Sequence, residues 1–112
     1  MLALVVVAAS AGCGRRSAES KAAERAQDAC IGALEPVSDG KVPDDDVLDA
    51  ALTDAEAAAA VDDRWRPLAA RLRAAVATGG GPDLEPAVDA LAAECGRVND
   101  IVRRGGKEPA TA

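Results

Sequence analysis

Apolar positions along this chain recur mostly three and four residues apart, the spacing that lines up one face of an α-helix. The clearest run is Leu84, Val88, Leu91, Cys95, Val98 and Val102, where steps of four and three alternate. That alternation draws a seam suited to an antiparallel helical neighbour. Leu48, Ala51, Ala55 and Ala58 make a second stripe, flanked by Val47 and Leu52. Trp65, Leu68, Leu72, Ala75 and Val76 make a third, and Ala23, Ala26, Cys30, Ala33 and Val37 a fourth. Four such stripes predict an all-α fold, a small up-down bundle of about four helices. Ile31 and Ile101 fall off their stripes. They are therefore expected at the surface, as candidate contacts for a partner.

Polar residues and breakers set the boundaries. Ser17 is placed to cap the first helix, which is expected to end near Leu34, with a turn at Ser38-Asp39-Gly40. Asp44, Asp45 and Asp46 open the second helix, where carboxylates satisfy free N–H groups and the positive end of the dipole. Thr53-Asp54-Ala55-Glu56 also has the form of a capping box, so the pattern allows one helix here or two meeting near Thr53. Asp63 is the expected N-cap of the third helix. Pro67 then falls at its fourth position, where a backbone N–H would lack an intrahelical partner anyway. Thr78-Gly79-Gly80-Gly81-Pro82 is the strongest stop in the chain. Asp83-Leu84-Glu85-Pro86 repeats the start signal for the fourth helix, and Arg103 and Arg104 suit its C-terminus.

The N-terminal segment follows different rules. Leu2 to Ala11 is apolar or small and uncharged, and Gly12 and Cys13 lead into Arg15, Arg16 and Ser17. This is the layout of a secretory signal with a small-residue cleavage site. A cysteine just after Ser10-Ala11-Gly12 fits a bacterial lipobox, in which Cys13 is diacylated by palmitate-type chains and becomes the first mature residue. About ten apolar residues are too few to span a bilayer, which takes roughly 20. A signal normally opens with Lys or Arg, and only Met1 precedes this run, so the start of the signal is expected upstream. The expected organisation is a signal over 1–12, a lipidated tether over 13–17, a bundle over 18–104 and a flexible tail over 105–112.

Composition narrows the function classes. The formal net charge is −6, which disfavours nucleic acid, because phosphates must be neutralised by cations. Alanine makes up a quarter of the chain, and Trp65 is its one aromatic residue. Trp65 sits on an apolar stripe and is expected in the core. After Cys13 only about 18 large apolar residues remain to be buried, a thin core for some 100 residues. Cys30 and Cys95 lie mid-stripe on the first and last helices, which are neighbours in an up-down bundle. Exported compartments are oxidising, so a Cys30–Cys95 disulfide is expected. Closing a loop of that length is worth about 4 kcal/mol in the chain-entropy model.

Catalytic chemistry finds little to use. The chain has no histidine, which removes the commonest general base. Gly79-Gly80-Gly81 lacks the Lys and Ser/Thr of a phosphate-binding loop. The carboxylates of Asp44, Asp45, Asp46 and Asp49 lack EF-hand spacing, and with Cys13 lipidated only two cysteines remain as soft ligands. No enzyme, cofactor or metal is expected.

Taken together, the lipobox, one cysteine in the first helix and one in the last, and Asp62-Asp63-Arg64-Trp65-Arg66-Pro67-Leu68 before an Ala-rich helix carry a likeness. The chain resembles the small Ala-rich helical lipoproteins of actinobacteria, and its Ala, Arg, Asp and Gly bias suits a high-GC genome. The resemblance implies a helical fold at the outer face of the cytoplasmic membrane, and it assigns no activity. The leading expectation is a membrane-anchored, non-enzymatic structural or interaction module with an envelope protein as partner. The alternative is a binding module that holds a hydrophobic ligand in an internal cavity.

Overall fold

The computed structural model describes residues 2–105, with side chains described from Ala18 onward. The described residues form four helices, α1 (Leu2–Ser38), α2 (Asp45–Val61), α3 (Arg66–Ala77) and α4 (Leu84–Arg103), with no strand among them. A single 3₁₀ turn, Asp63–Trp65, joins α2 to α3. Each helix packs on the next in sequence, and α4 closes back on α1. This is the up-down-up-down bundle that the stripes predicted.

α1 is longer at both ends than its sequence signals suggested. Ser17 lies inside the helix rather than at its start, and the segment 13–17 is helical. A helix that has nucleated propagates cheaply through alanine-rich sequence. Gly12 and Gly14 weaken it by about 1 kcal/mol each without supplying a stop. The helix also runs past Leu34, with Pro36 in its last turn. It ends in a Schellman motif: the Gly40 amide donates to the Val37 carbonyl at 3.0 Å and the Lys41 amide to that of Pro36 at 2.8 Å. Gly40 takes the left-handed φ of 74° that this motif requires.

The other boundaries follow from local hydrogen bonds. The Asp44 carboxylate accepts from the Val47 amide at 2.9 Å and starts α2 as expected. The Thr53 hydroxyl donates back to the Asp49 carbonyl at 3.0 Å. It therefore serves the preceding turn, and α2 is one continuous helix. Asp62, not Asp63, makes the next cap, accepting from the Arg64 amide at 3.0 Å. Its extended backbone turns the chain, and the intervening 3₁₀ turn moves the start of α3 to Arg66. Asp83 occupies the N-cap position of α4 without a side-chain capping bond. Its backbone is helical at φ −79°, ψ −8°, whereas a capping carboxylate needs the extended region.

The core joins all four helices. α1 contributes Ala22, Ala26, Ala29, Cys30 and Ala33, and α2 contributes Leu48, Ala51, Ala55 and Ala58. Trp65, Leu68, Ala69, Leu72 and Ala75 come from the corner and α3. α4 buries Leu84, Val88, Leu91, Cys95, Val98 and Ile101. Two expectations are corrected here. Val37 is 39% exposed, because the last turn of α1 opens onto a surface cleft. Ile101 is fully buried and Val102 only partly so. Val102 borders a surface cleft between α1 and α4, so in the last turn of α4 it is Ile101 that fills the core. Among the described residues no helix is long and apolar enough to cross a membrane.

Candidate functional site

The expected site residues fare differently. Cys13 lies outside the residues whose side chains are described, as does the tail beyond Gly105. Cys30 and Cys95 come together at disulfide-bonding distance across α1 and α4, with Cα atoms 5.6 Å apart. Ile31 is 56% exposed and stays available to a partner. Ile101 does not, since its side chain fills the core.

The up-down order gives the bundle two chemically distinct ends. The distal end gathers the α1–α2 and α3–α4 loops. The basal end gathers the early part of α1, the α2–α3 corner and the end of α4. Segments 35–49 and 78–89 at the distal end hold nine carboxylates against one cation, Lys41. Among the described side chains, segments 18–25, 62–66 and 97–104 at the basal end hold seven Lys and Arg against five carboxylates. The acidic net charge therefore conceals a strong polarity along the bundle axis.

The basal end is built around Trp65, which is fully buried. The Asp62 carboxylate accepts from the Arg64 side chain at 2.7 and 3.0 Å. This Arg64 pairing holds the Asp62 carboxyl below its ordinary value, against the opposing effect of burial. The Arg64 guanidinium carbon stands 5.4 Å from the Trp65 ring centre, a cation–π contact. Arg97 of α4 donates to the Arg64 carbonyl at 2.5 Å and pairs with Glu94. The corner is thereby fastened to α4. Trp65 Nε1 is buried without a hydrogen-bond partner, a local cost of about 1–3 kcal/mol. With its charges committed to one another, this node works as a strut.

Two clefts mark the ends. The basal one, about 500 Å³, runs between α1 and α4 beside Glu19, Gln27, Arg64 and Val102. The distal one, about 530 Å³, lies between the two loops. Val37, Val42, Pro43, Pro82, Leu84 and Val88 give it an apolar lining, and Glu85 and Asp89 stand at its edge. Val42 is 70% exposed there. Both clefts open to solvent at the surface. The sequence stripes did not point to the distal cleft, because its walls come from segments some forty residues apart. The acidic run Asp44-Asp45-Asp46 and the off-stripe Val42 were its visible signals. Among the described residues no group of three or more acidic or soft ligands is placed to hold a metal. No protein-family model, curated protein or solved structure matches the chain.

Proposed function

We propose that this chain is an exported lipoprotein, anchored through Cys13 to the outer face of the cytoplasmic membrane, and that it acts there as a non-enzymatic interaction module. The observation that carries the reading is Ser10-Ala11-Gly12-Cys13 at the end of an uncharged apolar run. The Cys30–Cys95 pair supports it, because the oxidising side of the membrane is where such a bond persists. The charge polarity supports it too. Cys13 precedes the basal end on the same helix, so an anchor there would set the Arg- and Lys-rich pole against anionic headgroups. The acidic pole would then face away from the bilayer.

The open clefts lend less support to the hydrophobic-ligand alternative, since a small-molecule site encloses most of its ligand. Metabolic labelling with a clickable fatty acid, in a high-GC host, tests the anchor. Wild type should take the label and Cys13→Ala should lose it. A wild-type chain that is never labelled would sink the lipoprotein reading.

A further inference from the structure

We propose that the distal cleft docks a cationic, amphipathic peptide segment of a partner protein, with apolar side chains on the valine-lined floor and Lys or Arg on the surrounding carboxylates. This deepens the interaction-module reading and rests on it, but it uses no residue before Val37 and does not depend on the lipid anchor.

The apolar part of the case is the floor. Leu84 and Val88 are almost buried at its base, while Val42 and Val37 are left 70% and 39% exposed beside them. These are two of the four large exposed apolar side chains among the described residues, and they converge on one cleft. A chain with so few large apolar residues gains stability by burying them. Covering this pair by a partner recovers apolar burial that folding leaves unused.

The electrostatic part selects the occupant. Glu85 and Asp89 flank the cleft; its two loops add Asp39, Asp44 and Asp83 and the first turn of α2 adds Asp45 and Asp46, all exposed. Asp44 uses one carboxylate oxygen, Oδ1, to cap α2. Among the described residues, Lys41 is the one cation in the segments that form this end. Such a rim repels nucleic acid and anionic lipid and attracts a polycation. A neutral apolar ligand would satisfy the valines and leave the carboxylates unanswered. A purely basic chain would do the reverse. A segment presenting both Leu-type and Lys-type residues satisfies both, and its binding should weaken steeply with salt.

The test uses the full chain, labelled with nitrogen-15, and three synthetic 14-residue peptides. One has Leu and Lys at helical spacing, one is oligolysine, and one has Leu and Glu at the same spacing. The first should shift the amides of Gly40, Lys41, Val42, Gly80 and Val88 and bind about tenfold more tightly than either control. Val42→Ser and the pair Glu85→Lys/Asp89→Lys should each weaken it about fivefold or more, with folding checked by circular dichroism. The charge-reversed pair should gain affinity for the Leu/Glu peptide. Oligolysine binding as tightly as the Leu/Lys peptide would overturn the proposal. So would shifts confined to Glu19–Gln27 and Arg64, or no shifts at all. None of these outcomes bears on whether Cys13 carries lipid, so the two readings fail separately.

Discussion

α1 and α4 share a seam, yet they are held to the bundle by different means. α4 buries Leu84, Val88, Leu91, Val98 and Ile101, all large. Among its described side chains, α1 buries four alanines and Cys30. Each alanine removes little more than a methyl group from water, so α1 gains far less from burial than α4 does. Alanine compensates by letting backbones approach closely, and close approach is what a disulfide needs. The Cys30–Cys95 pair joins the helix with least apolar grip to the one with most. A thin core is thereby spared from holding its longest helix by packing alone.

The sharpest way to break this asymmetry is to remove the crosslink. Cys30→Ala/Cys95→Ala should cost about 4 kcal/mol of unfolding free energy, measured in urea. Amide exchange should rise most along Ala22–Ala33 of α1 and least at Leu91–Val98. Uniform acceleration over both helices would mean that α1 is no weaker than α4. Next in size is Ile101→Ala, expected to cost about 3 kcal/mol for a buried aliphatic side chain. Ile31→Ala on α1 should leave stability within about 0.5 kcal/mol, as surface changes do. Comparable losses at the two isoleucines would contradict their placement.

That pair of residues also shows how far the sequence could be read. Both isoleucines lie off the simple three-and-four stripe, yet only Ile31 is exposed. The stripe of α2 was fully legible, since Leu48, Ala51, Ala55 and Ala58 are all buried. α4 was legible until its final turn, where a surface cleft beside Val102 leaves Ile101 to fill the core. Ser17 misled because a capping residue type marks a helix start only if the chain before it is not already helical. Thr53 was ambiguous because its hydroxyl can cap a new helix or bond back one turn, and only the backbone path decides. The distal cleft depends on tertiary proximity of two loops, which no local pattern encodes.

Smaller effects sharpen the comparison further. Ala29→Leu inserts three heavy atoms into a site with no exposure. It should destabilise by about 2 kcal/mol through overpacking, and the cost should grow in the crosslinked chain, where α1 cannot retreat. Equal costs with and without the crosslink would argue that the seam is looser than described. The α4 side has a polar fastening of its own, the Asp62–Arg64–Arg97 node. A carboxyl held below its ordinary value binds protons more weakly in the folded state than in the unfolded one. Its contribution is therefore present above the unfolded value, near 3.8, and is lost as pH falls through the folded one. Asp62→Asn should be less stable than wild type at pH 7, and the gap should narrow below pH 4. A gap that stays constant with pH would show that the ionised carboxylate is not what holds the corner.

An anchor at Cys13 and a crosslink between Cys30 and Cys95 can both be read in one measurement. It is the intact mass of the chain recovered from the cell envelope of the organism that makes it, before and after reduction and thiol alkylation. The account predicts a chain beginning at Cys13, heavier by a diacylglyceryl group, with no alkylation until it is reduced and two alkylated thiols afterwards. A chain that keeps Leu2–Gly12, carries no lipid and alkylates at three cysteines without reduction would contradict it.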